Sequence, residues 1–133
     1  MNKETMVEAY RAFLREYRLS PADVTLVAGS ACLMYGIRES TTDIDVQVTP
    51  VVYAQLKEYG EVIESTLEGC GTGNRLVIGD FDIMVSTYAS AVVEGVGVMT
   101  LTALKGMKEV LLQRLQRDKD RKDLFVIEQL LGQ

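Results

Sequence analysis

LVAGSACLMYGIRESTTDIDVQV, residues Leu26 to Val48, is the stretch from which the fold is read. It opens on apolar residues, turns at Gly29-Ser30, runs through a short apolar segment to Gly36, crosses a polar loop and ends in Asp43-Ile44-Asp45-Val46-Gln47-Val48. The last piece alternates with a period of two. That predicts a strand with Ile44, Val46 and Val48 on the core face and Asp43, Asp45 and Gln47 on the other. The two carboxylates then share one face with their backbones about 6–7 Å apart, within joint reach of a hard cation. Val24 to Ala28 predicts the preceding strand, and Gly29 and Ser30 open the helix after it, where free amides can hold an anion. Ala31 to Tyr35 continues that helix, with Gly36 at its C′ position. An anion cradle beside a carboxylate pair suits phosphoryl or nucleotidyl transfer.

Upstream, Thr5 to Tyr17 has apolar residues at helical spacing and a Thr5–Glu8 capping box, with Arg11, Arg15 and Arg18 on the outer side. Ser20-Pro21 then supplies the start of a turn. Downstream, Thr49-Pro50 caps a helix reaching Tyr59 and closed by Gly60. Three short strands are expected at Val62–Leu67, Arg75–Ile78 and Phe81–Val85, the first two joined as a hairpin by the glycine-rich loop Gly69 to Gly73. In the third strand Asp82 stands between Phe81 and Ile83, repeating the parity of Asp43 and Asp45, so it is a candidate third acid. Tyr88–Glu94 is expected to be helical and Gly95–Met99 a connector. Thr102–Gln116 and Asp120–Leu131 predict two C-terminal helices, the second with Asp120 as N-cap and Asp123 at N3. The expectation is an α+β fold, a mixed β-sheet with flanking helices and a C-terminal helical pair. It forms a single domain over 1–133, with a core at about 24–86 and the helical pair at about 102–131.

Composition narrows the chemistry. The chain of 133 residues is 47% hydrophobic and 25% charged, the balance of an ordinary globular domain. It has no histidine, which excludes Ser-His-Asp and Cys-His machinery and histidine-ligated zinc. The two cysteines, Cys32 and Cys70, lie in unrelated contexts and read as incidental thiols. Carboxylates and lysines must carry any catalysis, which points to oxygen-ligated magnesium, with manganese as the substitute. No apolar run approaches the roughly 20 residues of a membrane span, and the polar start has no signal-peptide core, so a cytoplasmic protein is expected. The net charge of −5 argues against non-specific binding of long nucleic acid. Half of the 14 basic residues nonetheless fall within Lys105–Lys122, a C-terminal face that can meet phosphates or simply be solvated.

The order Ala28-Gly29-Ser30, Asp43-Ile44-Asp45 and then strand-borne Asp82 resembles the DNA polymerase β-type nucleotidyltransferase superfamily. The C-terminal stretch from Leu101, with Lys105 and the Lys122-Asp123 pair, is similar to the helical tail of its small bacterial members, among them components of toxin–antitoxin and abortive-infection systems. Those tails often carry a further acid where this chain has Val126. The resemblance implies a minimal nucleotidyltransferase sheet, with Gly29 and Ser30 on the triphosphate of an NTP and Asp43, Asp45 and Asp82 as metal ligands. Asp82 would lie where an acceptor hydroxyl loses its proton. Lys105 and Arg38 are candidates for neutralising phosphate charge, Lys105 being equally readable as a surface lysine and Asp123 as a helix cap. The implied reaction moves a nucleoside monophosphate to a hydroxyl of RNA (tRNA included), a protein or a small molecule, releasing pyrophosphate. A nucleotidyltransferase-like module without turnover, acting as an antitoxin or partner-neutralising subunit, is the alternative.

Overall fold

The computed structural model describes residues 1–64 and 74–132. The described residues form five α-helices and a seven-stranded mixed sheet. In chain order they are α1 (Lys3–Tyr17), β1 (Thr25–Leu26), α2 (Ala28–Met34), β2 (Ile44–Val48), α3 (Pro50–Leu56) with a 3₁₀ turn at Lys57–Tyr59, β3 (Glu61–Ile63), β4 (Arg75–Ile78), β5 (Phe81–Val85), β6 (Ser90–Val93), β7 (Val96–Met99), α4 (Leu101–Leu115) and α5 (Asp118–Leu131). The sheet order is β3-β4-β5-β2-β1-β7-β6. Two pairs, β2 with β5 and β1 with β7, are parallel, and the other neighbours are antiparallel.

The central strands carry the core. Ile44, Val46 and Val48 of β2 are buried, as are Phe81 and Ile83 of β5 and Leu76 of β4. Helix α1 lays Met6, Tyr10, Phe13 and Leu14 into the same core, and Phe13 stacks on Phe81 with ring centroids 4.2 Å apart. The hydroxyl of Tyr10 donates to the Val24 carbonyl at 2.8 Å and accepts the Gly97 amide at 3.0 Å, which ties α1 to the start of β1 and to the neighbouring β7. A side chain at position 97 would put its Cβ 2.4 Å from the Pro21 carbonyl oxygen and 2.5 Å from that of Val24, so only glycine fits.

Several expectations give way to a different local solution. The region from Tyr88 to Glu94 is not helical: Ser90–Val93 is an edge strand, and the supposed connector contains β7, paired with it. The reason lies in Glu94-Gly95, both at positive φ (53° and 78°), a two-residue loop between β-branched flanks that matches the twist of a hairpin. Arg11 holds this turn by donating to the Glu94 carbonyl at 3.1 Å. Helix α1 starts two residues before the expected cap, because the Asn2 side chain accepts the Thr5 amide at 2.9 Å. Helix α5 starts at Asp118 with Arg117 as N-cap, and Asp120 lies inside the helix, fully buried. The strand expected at Val62–Leu67 is Glu61–Ile63 among the described residues; its remainder, together with the glycine-rich loop, lies outside them. Thr49 does cap α3, with Pro50 at its first turn, and β4 and β5 have the expected bounds. No described helix is long and apolar enough to cross a membrane.

Candidate active site

The parallel pairing of β2 with β5 sets Asp45 directly opposite Asp82 and Ile44 opposite Phe81. Because the pleat alternates, the two acids leave the sheet on the side away from Ile44, Val46 and Ile83, with neighbouring strands about 4.8 Å apart. Asp43 precedes β2 by one residue and is exposed. Further along that face Gln47 is buried and clamps the incoming chain: it donates to the Tyr88 carbonyl at 2.8 Å and accepts from Ser86 at 2.6 Å.

The Gly29-Ser30 turn acts on these acids through the backbone. The Ser30 hydroxyl accepts the Asp45 amide at 2.8 Å and lies 3.4 Å from the Asp43 carbonyl, to which it donates. Thr41 donates to the same carbonyl at 2.8 Å. The start of β2 is thereby fixed from two sides. The Ser30 amide is itself bonded to the Val27 carbonyl at 3.1 Å, so both polar groups of this residue serve the fold. Gly29 makes room. A Cβ there would lie 2.8 Å from Arg38 Nη1 and 3.7 Å from Asp45 Oδ2, so the missing side chain admits the Arg38 guanidinium beside Asp45. Ala28, just ahead, has φ of 51°, a left-handed conformation that non-glycine residues seldom adopt.

Asp45 responds first to its burial and then to the two neighbouring carboxylates. Burial, followed by the charges of Asp82 and Asp43, pushes it up to about 7, against the weaker opposing pull of Arg38 and Arg75. Asp82 is also raised, mainly by burial, with Asp43 adding and Arg75 opposing. Arg75 forms an ion pair with Asp82, Nη1 to Oδ2 at 2.8 Å. The other carboxylate oxygen, Oδ1, is buried without a hydrogen-bond partner. Among the described residues no three acid or thiol side chains close to metal-ligating geometry. The donor set nonetheless suits a hard divalent cation: it is all oxygen, it has one orphaned carboxylate oxygen, and its shared negative charge raises the proton affinity of Asp45.

A second charged cluster joins the site to the C-terminal helices. Arg38 pairs with Asp123 at 2.6 Å, and Lys108 pairs with Asp123 at 3.0 Å and with Asp120 at 3.2 Å. Arg117 closes the chain on Asp120 at 2.7 Å. Burial is the largest single influence on Asp120 and acts to raise it, yet the hydrogen bonds and charges of Arg117 and Lys108 together hold it below the usual carboxylate range. Cys32, buried beside this cluster, is pushed up to about 11, mainly by burial, and is an inert thiol.

The structure thus brings together Gly29, Ser30, Arg38, Asp43, Asp45 and Asp82. Lys105 is half-buried on α4 and makes none of these ion pairs; the lysine that does is Lys108, 2% exposed. Its signal was present, since Lys108 falls on the apolar stripe of Leu104, Met107 and Leu111, where a charge needs a buried partner. Asp120 and Asp123 interrupt the stripe leading to Ile127 in the same way. Arg75 had no comparable signal. Comparison of the chain with family models, curated proteins and solved structures returns no match.

Proposed function

We propose that the protein is a metal-dependent nucleotidyltransferase that moves a nucleoside monophosphate from an NTP to a hydroxyl group and releases pyrophosphate. The observation that carries this reading is the register of Asp45 against Asp82, with Asp43 next to them and Asp45 pushed up to about 7. Three carboxylates crowded this way destabilise one another unless cationic charge arrives. Magnesium, or manganese in its place, would be held by Asp43, Asp45 and Asp82. Held there, such cations would supply positive charge to offset that building up on the phosphate and the leaving oxygen. The chain's own residues do the rest. Ser30 and Thr41 fix the backbone at Asp43, and Arg38, anchored by Asp123, presents its remaining donors beside Gly29 to the phosphates. Asp82 would take up the proton of the acceptor hydroxyl through whichever carboxylate oxygen the cation leaves unengaged.

The test is incubation with radiolabelled NTPs and magnesium, offering the protein itself, tRNA and small-molecule hydroxyls as acceptors. Label transfer by the wild type that falls by about a hundredfold or more in Asp43→Ala and in Asp45→Ala supports the enzyme. A second reading, a partner-binding module of the same fold without turnover, is favoured by the Arg75–Asp82 pair, which already gives one acid a counter-ion. Absence of transfer in every arm, with a co-purifying partner retained in EDTA, selects that module.

A further inference from the structure

On the acid face β4 and β5 run antiparallel with Val77 opposite Asp82. Arg75 precedes Val77 by two residues, so its side chain leaves the same face and reaches Asp82 on the diagonal, a span that long side chains cover. It arrives through one contact only, Nη1 to Oδ2 at 2.8 Å. Arginine and a carboxylate can instead pair through two parallel bonds. Here the guanidinium Nε and the carboxylate Oδ1 are both buried and both without a partner. A buried donor and a buried acceptor left unpaired in one ion pair are costly, and the pair is therefore poorly matched to itself.

What each atom lacks identifies the missing ligand. Arg75 Nε needs an anionic or carbonyl acceptor, and Asp82 Oδ1 needs a donor or a cation. A phosphate oxygen accompanied by its divalent cation meets both needs together. Arg38, also beside the acids, is already held by Asp123 at 2.6 Å. Arg75 is tied only to Asp82 among the described residues, and its side chain is 32% exposed against 14% for Asp82, so it has solvent on one side into which to turn.

We propose that Arg75 is a polyphosphate-binding residue that, without nucleotide, stands on Asp82 in place of the divalent cation and yields that carboxylate when cation and phosphate bind together. The exchange makes and breaks ion pairs only, and the guanidinium keeps its proton throughout. The proposal rests on the nucleotidyltransferase reading above and adds to it the residue that couples metal binding to nucleotide binding.

Two titrations test it on the full chain, one of Mn²⁺ alone and one of inorganic tripolyphosphate at saturating Mn²⁺, both followed calorimetrically. Removing Arg75 takes away the competitor for Asp82, so Arg75→Ala is expected to bind Mn²⁺ about tenfold more tightly than wild type. The same variant is expected to bind tripolyphosphate about tenfold more weakly, having lost a charge-assisted contact. A merely structural arginine would weaken both. Arg75→Gln, which keeps length without charge, gives the same opposed pair of changes and serves where Arg75→Ala does not fold. Opposed shifts support the proposal. Unchanged or jointly weakened binding in the variants, with wild type binding both probes through Asp45, overturns it and leaves the enzyme reading intact. Failure of the wild type to bind either probe overturns both.

Discussion

Asp45→Asn tests the electrostatics of the site without any knowledge of the substrate. In the folded protein the carboxyl is pushed up to about 7 from its ordinary value of 3.8. At about 1.36 kcal/mol per unit, that difference corresponds to about 4 kcal/mol of differential proton binding. The direction follows from linkage. A carboxyl raised on folding keeps its proton in the native state while the unfolded chain has already lost its own, so the native state binds more protons between pH 4 and 7, and stability falls as pH rises through that window. Below pH 4 the penalty is absent, and above pH 7 it is fully present and constant. The raised value of Asp82 acts in the same direction. Asparagine carries no charge, so the variant escapes the penalty. Urea unfolding in EDTA at pH 5 and pH 8 is the assay. Integrating over that interval, the wild type should lose about 2–3 kcal/mol relative to the variant. Excess Mn²⁺ should remove much of the wild type's loss, because bound cations favour the ionised form. A difference between wild type and variant that does not change with pH, or a wild type that gains stability over the variant from pH 5 to 8, would refute the buried, acid-flanked setting of Asp45 on which the site is built.

Three further outcomes follow from buried charge and packing. Lys108→Met should destabilise the protein by about 3–5 kcal/mol, since it leaves two buried aspartates short of a shared partner; Lys105→Ala should stay within about 0.5 kcal/mol in the same urea titration at pH 7. Gly97→Ala drives a methyl against two backbone oxygens that cannot move independently and should cost about 3 kcal/mol or more, read as loss of soluble protein or a lowered melting temperature.

Legibility tracked the range over which each signal acts. Thr49-Pro50 specifies a helix start through its own hydroxyl and ring, and the alternation in β2 and β5 and the short β-branched run of β4 need no distant information, so these elements were readable directly. The β6–β7 hairpin depended on Glu94-Gly95 being recognised as a two-residue loop. A Val-Val-Glu-Gly-Val run carries that signal through the positive φ of its central pair, more than through residue identity, since glutamate seldom adopts it. At α1 and α5 the competition was between caps. Asn2 and Arg117 lie at the two observed starts, and the acid expected to cap α5, Asp120, was drawn inward by Lys108 instead.

The candidate site divides along the same line. Gly29, Ser30, Asp43 and Asp45 sit within one local unit, where parity and turn chemistry are enough to place them. Asp82 could be assigned a face but not a neighbour, because strand register is a property of the whole sheet; it is the pairing of Ile44 with Phe81 that brings it to Asp45. Arg75 is one step further removed. Its position requires the β4–β5 register on top of the β2–β5 register, and only with both does a strand-end arginine become the counter-ion of the third acid. The same reasoning accounts for Lys108. A charge on an apolar stripe announces that a partner exists without saying which, and two of the nearest aspartates on the next helix were spoken for as caps. The residues hardest to read from sequence are therefore the cations, which reach their partners across long side chains and between elements. The carboxylates, short and fixed to the backbone, lie where the strand pattern puts them. A site in which the anions are legible and the cations are not is the expected result of chain geometry, and it makes Arg75 and Lys108 the positions where mutagenesis adds most beyond the motif.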